Sequence, residues 1–236
     1  TALEVFIVHR SIVLIFCLVR QRANCYTKHM RKSLLLLLLA AFAPAFGADN
    51  TPEAAGLVDV ASVPGLHVFV DLRYATANNF TGKKIYDSAK CYLHQDAVEG
   101  LQKAVRLAAE EKEPFTFCLW DCYRPQDAQQ KLWDAAPNPS YVAPPKKGSR
   151  HSRGMAVDLT PCDFDGNPLE MPTGFDSFSK RAHMDFYDLP EAVLRRRETL
   201  KKIMTAAGFT YTRTEWWHFD KTGWKQKPLL NIPLPK

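Results

Sequence analysis

A carboxylate inside an apolar stretch places the strongest constraint on how this chain can fold. Asp158 lies between Val157 and Leu159, within a run over residues 155–160 that has the composition of a buried strand. An ionised carboxylate that is buried without a partner is very costly, so the fold must bring a positive charge to it. A metal ion would neutralise the charge. His151, seven residues before Asp158, offers a nitrogen ligand, and Gly154 lets the backbone turn between them.

A second stretch, TEWWHFD at residues 214–220, offers the remaining groups of such a site. His218 supplies a third ligand, and two histidines plus one carboxylate with one open position are typical of a catalytic zinc site. Glu215 is then free to act as the base that takes a proton from the attacking water. Residues three apart point to opposite faces of a regular strand, so Glu215 and His218 converge only at a bulge or a strand end. We therefore predict one zinc ion per chain.

Each of these residues also has an ordinary structural interpretation. His151 alone would be a loop histidine, Asp158 a core carboxylate in a salt bridge, and Glu215 a solvated side chain. The spacing of His151 and Asp158 is short and degenerate, so the combination of residues carries the prediction.

The first 47 residues have the pattern of a targeting leader. A basic start at residues 30–32 precedes an apolar run over 34–43, and Ala45 and Gly47 stand at the −3 and −1 positions of a cut before Ala48. The apolar run is short for a bilayer span, which makes an uncleaved membrane anchor the weaker alternative. We predict an exported, periplasmic protein with no stable membrane anchor after cleavage.

The leader pattern also divides the chain into three parts. We predict that residues 1–29 are an upstream extension outside the fold, 30–47 a signal peptide and 48–236 the functional domain. The net charge of +6 could suggest a nucleic-acid partner, but residues 1–47 hold six of the 31 basic residues and one of the 25 acidic ones. The remainder is close to neutral, so we expect no nucleic-acid partner.

Four cysteines follow the leader: Cys91, Cys118, Cys122 and Cys162. An oxidising compartment favours disulfides among them. Cys118 and Cys122 lie on what reads as one strand, roughly 13 Å apart, which is too far for a bridge. Two pairings stay open, beside the alternative of four free buried thiols.

Helices and strands alternate without the regularity of βαβ units, which favours an α+β domain. We expect a single domain with a mostly antiparallel sheet and flanking helices. Apolar spacing and proline or glycine boundaries predict helices over 95–113, 126–136 and 191–207, strands over 115–120, 155–160 and 209–220, and loops over 137–149 and 163–188.

Five motifs in this order give the chain a resemblance to a known family. They are DLRYATANNFTG (71–82), WDCYRP (120–125), SRHSRGMAVDLT (149–160), FDSFSKRAH (175–183) and EWWHF (215–219). Together they resemble the zinc D-alanyl-D-alanine dipeptidases of the VanX type, over nearly all of residues 57–236. The resemblance implies the D-Ala-D-Ala metallopeptidase fold, which hedgehog-like domains share.

The resemblance also assigns roles. It implies that His151, Asp158 and His218 hold the zinc and that Glu215 is the base. It implies that Arg124 stabilises the oxyanion that forms when the peptide carbonyl is attacked, a role for which a positive charge is suited; the alternative for Arg124 is a structural ion pair with Asp121. Substrate contacts are implied for three further residues, Tyr74, Ser149 and Asp176.

Three functions compete at this point. The first is a zinc dipeptidase that hydrolyses free D-Ala-D-Ala with metal-activated water, in cell-wall dipeptide turnover. The second is a D,D-carboxypeptidase or endopeptidase on peptidoglycan stem peptides. It gains support from the loop between Trp133 and His151, which is shorter than the site-covering insert of the vancomycin-resistance enzymes. The third, a non-enzymatic zinc-binding module, would need neither Glu215 nor Arg124.

Overall fold

The computed structural model describes residues 50–236. The predictions for the upstream extension and the signal peptide fall on residues outside this range. The described part contains helices α1 (Gln95–Ala109), α2 (Gln126–Ala135) and α3 (Glu191–Ala206). Its strands are β1 (Leu57–Asp59), β2 (Phe69–Val70), β3 (Tyr92–His94), β4 (Thr116–Asp121), β5 (Ala156–Cys162), β6 (Phe209–Thr212) and β7 (Glu215–Lys221).

The main sheet has five strands in the order β2-β4-β5-β7-β6, and every neighbouring pair except β2–β4 is antiparallel. Strands β1 and β3 form a separate antiparallel pair. Helices α1 and α3 contact each other, and α3 also contacts β6. The prediction of an α+β domain with a mostly antiparallel sheet and flanking helices is confirmed.

The strand register accounts for the unusual position of Asp158. Strand β5 lies between β4 and β7, and Asp158 is paired with Asp121 on one side and with His218 on the other. A register shift between Leu119 and Asp121 produces the first of these pairings. Three polar residues that are far apart in the sequence thus form one row across the centre of the sheet. All three are buried.

Two predicted elements differ from the structure by more than one or two residues at their ends. Helix α1 ends at Ala109 and not at Glu113. The last four predicted positions, Glu110 to Glu113, carry no apolar side chain, and Pro114 disfavours a helical conformation in the residue before it. The predicted strand over 209–220 is a hairpin, β6 and β7, joined at Arg213 and Thr214. The joining residues include no glycine, proline, asparagine or aspartate, so the sequence carries no turn signal there.

One disulfide joins Cys91 to Cys122, with 5.9 Å between their Cα atoms. Cys118 in β4 and Cys162 in β5 are free and buried. The exclusion of a Cys118–Cys122 bridge is confirmed, while the expectation of either two bridges or none is wrong. No helix within residues 50–236 combines the length and the apolar content that a membrane crossing requires.

Candidate active site

His151, Asp158 and His218 converge on one point. A possible ligand atom from each lies within 4.8 Å of the other two. The Nε2 atom of His151 is 3.2 Å from Nδ1 of His218 and 3.4 Å from a carboxylate oxygen of Asp158. The distance from His218 Nδ1 to the other Asp158 oxygen is 2.8 Å. The structure therefore brings together the three predicted ligands from a 3-10 turn (His151–Arg153), from β5 and from β7.

The hydrogen bonds of the two imidazoles show which nitrogens face this point. His151 donates from Nδ1 to the backbone carbonyl of Cys122, at 2.7 Å. His218 donates from Nε2 to Oδ1 of Asp220, at 2.9 Å. The other nitrogen of each ring then carries a lone pair, and both lone pairs meet beside an anionic oxygen.

Three electron-pair donors facing one another repel unless a cation lies between them. Two nitrogen ligands of a tetrahedral zinc ion stand about 3.3 Å apart, close to the observed separation of the two ring nitrogens. The donor set and its spacing fit a small divalent cation.

Without such an ion, protons take its place. Burial lowers the pKa of His218, but the charge of Asp220 and a hydrogen bond that the imidazole donates to Asp158 outweigh burial and raise that pKa well above its usual value. Burial would raise the pKa of Asp158, yet the neighbouring histidines hold it well below its usual range.

Glu215 is the first residue of β7, where the register against β6 shifts between Tyr211 and Thr212. Glu215 and His218 could converge on one site only at a strand end or a bulge. The structure has both, because Glu215 begins β7 and the register of β6 against β7 shifts beside it. Burial, reinforced by the charge of Asp158, raises the pKa of Glu215 to about 7. Glu215 lines a pocket of about 180 Å³ whose wall also includes the three ligands.

Arg124 lines the same pocket, and its guanidinium is held on two sides. Its Nε and Nη2 atoms donate to Asp121 at 3.0 and 2.5 Å, and Nη1 donates to Gln129 at 2.8 Å. The ion pair with Asp121, which was the structural alternative for Arg124, is thus present. A guanidinium has five N–H groups, so two are left for a ligand in the pocket.

Tyr74 and Asp176 form a second polar pair in the pocket wall. The Tyr74 hydroxyl donates to Asp176 Oδ1 at 3.0 Å, and the tyrosine ring lies 5.0 Å from the guanidinium carbon of Arg124. Burial, and then the charge of Asp158, raises the pKa of Asp176 to about 7. Asp176 has a positive φ of 57°, a strained conformation that often marks a functional position when the residue is not glycine.

Ser149 also lines the pocket, where its hydroxyl accepts a hydrogen bond from the backbone N–H of His151 at 3.2 Å. Gly154 ends the His151 turn with a φ of 64°. A side chain at that position would come within 2.9 Å of the His94 backbone nitrogen. Both residues therefore shape the turn that carries the first ligand.

Sequence reasoning did not assign a role to Asp220 or to the residues that close the pocket. Asp220 is two positions after His218 and so shares its face of β7, a signal that was available. The ring of Tyr141, in the proline-rich loop, stacks on Phe178 with 4.7 Å between ring centres, and the Tyr141 hydroxyl donates to the Phe178 carbonyl at 3.1 Å. No local pattern linked these two loops.

A buried His-Asp-His cluster beside a glutamate and an arginine, in a small pocket of an α+β domain, defines a metallopeptidase. A sequence profile of the peptidase M15 family, described as D-Ala-D-Ala dipeptidase, matches residues 53–231. The chain belongs to this family.

Named relatives agree with the profile. The D-alanyl-D-alanine dipeptidase of Escherichia coli strain K12 is 44% identical over 175 residues, which cover 74% of this chain and 89% of that protein. The D-alanyl-D-alanine dipeptidase of Enterococcus faecalis is 33% identical over 193 residues, 70% of this chain and 87% of that protein. The D-alanyl-D-alanine dipeptidase of Streptomyces coelicolor is 34% identical over 175 residues, 63% of this chain and 83% of that protein.

Proposed function

We propose that this protein is a zinc dipeptidase that hydrolyses D-alanyl-D-alanine. The observation that carries the proposal is the convergence of His151, Asp158 and His218 beside Glu215 in one small pocket. The names of the relatives support the substrate, and the donor set of two imidazoles and one carboxylate supports zinc.

His151, Asp158 and His218 would hold the ion, which when bound polarises the substrate carbonyl and makes a water molecule acidic enough to attack near pH 7. Glu215 takes the proton of the attacking water and then delivers it to the amine that leaves. A carboxylate with a pKa near 7 can serve in both directions at neutral pH. Asp220 and the Cys122 carbonyl keep the two histidines in the tautomers that this requires.

Arg124 supports the reaction at the substrate oxygen. Because Asp121 and Gln129 fix the guanidinium, its two remaining N–H groups are already oriented when charge develops on the attacked carbonyl. Asp176, held by Tyr74, offers an anionic partner for the substrate ammonium group, and the Ser149 hydroxyl is a further polar group for the substrate.

Aromatic contacts in the pocket wall support a dipeptide over a longer stem peptide. The proline-rich loop is short, yet its Tyr141 stacks on Phe178 of another loop. The ring of Phe178 also packs on Phe80, with 5.3 Å between the ring centres. This aromatic wall and a volume of about 180 Å³ leave space for a small ligand. The wall thus supports a small substrate even though the proline-rich loop is short.

Export to the periplasm is also part of the proposal. The basic, apolar and small-residue segments over 30–47 support it, as does a disulfide between buried cysteines in the domain. N-terminal sequencing of the protein from a periplasmic extract should give a start near Ala48. An intact segment 1–47 on protein from the cytosol would contradict it.

The activity is tested by following release of D-alanine from D-Ala-D-Ala and from a pentapeptide stem ending in D-Ala-D-Ala. We expect turnover of the dipeptide that a chelator abolishes and that one equivalent of zinc restores. The exposed surface variant Glu99→Gln serves as the matched control for the purified protein. Hydrolysis of the stem at a kcat/KM equal to that of the dipeptide would contradict the dipeptidase assignment.

A further inference from the structure

The Cys91–Cys122 disulfide lies next to the metal ligands without being part of them. Cys122 follows directly after the last residue of β4, and its carbonyl is the group that accepts the Nδ1 proton of His151. All three residues are buried: Cys91 is 2% exposed, Cys122 1% and His151 2%. Cys122 is therefore both one half of the bridge and the residue whose carbonyl orients His151.

Neighbouring contacts show what the bridge connects. On its other side Cys91 precedes β3, and the Cys91 carbonyl accepts from the Val60 backbone N–H at 2.8 Å. The Tyr123 N–H donates to the Tyr92 carbonyl at 2.8 Å, so the backbone just after β4 lies beside the first residue of β3. The bridge closes this connection covalently between segments 31 residues apart.

The orientation of the Cys122 carbonyl decides which nitrogen of His151 is free for the metal. As long as the carbonyl accepts from Nδ1, the lone pair on Nε2 faces His218 and Asp158. A competing acceptor is close, because Asp121 Oδ2 lies 3.6 Å from the same Nδ1. If the Cys122 peptide is free to rotate, the ring can turn toward Asp121 and move Nε2 away from the ligand position.

We propose that the Cys91–Cys122 disulfide positions the metal ligand His151 through the Cys122 carbonyl, so that metal affinity depends on whether the bridge is closed. The proposal rests on the proposed metal site. Loss of an outer hydrogen-bond partner typically lowers metal affinity 10- to 100-fold. Opening the bridge leaves the carbonyl in place but less constrained, so we expect a loss of about tenfold, at the lower end of that range.

The test measures zinc affinity by competition with a chromogenic chelator in three states of the same protein. A phosphine reductant opens the bridge, with water supplying the oxygen: disulfide, phosphine and water give two thiols and phosphine oxide. The phosphine is then removed. Oxidised glutathione closes the bridge again by thiol–disulfide exchange, which releases two molecules of reduced glutathione. We expect the zinc dissociation constant to rise about tenfold on reduction and to return on reoxidation.

Two variants separate the bridge from other thiols. Cys118→Ala/Cys162→Ala removes the two free cysteines found within residues 50–236 and should keep the full redox response. Cys91→Ala/Cys122→Ala should bind zinc weakly whether or not reductant is present. Visible absorption of the cobalt-loaded protein provides a further readout, because a change in ligand geometry alters that spectrum while a change in global stability does not.

Two results would overturn the proposal. One is a zinc dissociation constant that agrees within twofold between the oxidised and the reduced protein. The other is loss of the near-ultraviolet circular dichroism of the metal-free protein on reduction, which would show that the bridge holds the whole fold and not the ligand. His151→Ala distinguishes both from a failure of the metal site itself: if that variant binds zinc as the wild type does, the ligand assignment is wrong whatever the bridge does.

Discussion

Replacing Glu215 with glutamine should abolish most of the activity while making the metal-free protein more stable at alkaline pH. The substitution keeps the size of the side chain and removes its ability to accept a proton. General-base and general-acid catalysis contributes roughly 10² to 10⁴ in rate, or about 3 to 5.5 kcal/mol in the activation barrier. We expect a fall of that size in kcat for D-Ala-D-Ala with zinc still bound at one ion per chain.

The stability effect follows from the pKa of the same carboxyl. Folding raises it from 4.5 to about 7, so the folded state holds its proton more tightly than the unfolded state does. The contribution to stability is complete below pH 4.5 and is lost as the pH rises through 7. The shift corresponds to about 3.4 kcal/mol as an upper limit, and partial exposure of Glu215 reduces this to about 1 to 2 kcal/mol.

Urea unfolding of metal-free wild type and Glu215→Gln at pH 5 and pH 8 measures this difference. The variant should gain about 1 to 2 kcal/mol relative to wild type between the two pH values. Glu99→Gln, an exposed glutamate on α1, should show no such gain and should keep wild-type kcat. Wild-type turnover by Glu215→Gln would refute the assignment of Glu215 as the base. An equal stability difference at both pH values would refute the electrostatic argument.

Four further outcomes are expected. Asp220→Ala should lower zinc affinity 10- to 100-fold in a chelator competition, because His218 loses the partner that fixes its tautomer, while kcat at saturating zinc changes much less. Arg124→Lys keeps a positive charge beside Asp121 but loses the planar guanidinium with its several N–H donors. Steady-state kinetics should then show kcat lowered by a factor of about 10² to 10³ with little change in KM. Tyr141→Ala should raise the kcat/KM for a tripeptide relative to the dipeptide, and an unchanged ratio would show that the wall does not limit substrate length. Reduction of Cys91–Cys122 should lower the free energy of unfolding in urea by about 3 to 4 kcal/mol for a loop of this length.

Of the three predicted metal ligands, Asp158 was the one that the sequence marked most directly, because it breaks a local rule. His151 and His218 became candidates only in combination with it and through the family resemblance. A carboxylate between Val157 and Leu159 requires compensation wherever the strand is placed, and that requirement does not depend on the rest of the fold. The helices were predictable for the same local reason, since apolar spacing and flanking prolines mark α2 and α3 without any tertiary information.

What the sequence did not show depends on register and on contacts between loops. Nothing local aligns Asp121 with Asp158, because that pairing arises from an irregularity between two strands. The turn between β6 and β7 at Arg213 and Thr214 has no glycine or proline, so the sequence pattern predicted one strand where the structure has two. The stacking of Tyr141 on Phe178 joins loops that the sequence could only describe as irregular. The Cys91–Cys122 disulfide likewise follows from which strand ends meet, a question that cysteine counting leaves open.

The electrostatics of the pocket connect its separate parts. In the pocket wall and in direct ion pairs with it the chain places more carboxylates than arginines: Asp121, Asp158, Asp176, Glu215 and Asp220 against Arg124 and Arg150. In the metal-free protein burial is the main cause that raises the pKa values of Glu215 and Asp176, and the charge of Asp158 adds to it. For His218, the charge of Asp220 and the hydrogen bonds to Asp158 and Asp220 outweigh burial and raise the pKa. A divalent cation competes with the protons on the ligand side chains, so its binding must release protons. The charge excess thus favours a cation at the ligand cluster, while burial gives the neighbouring Glu215 the pKa near 7 that its role requires.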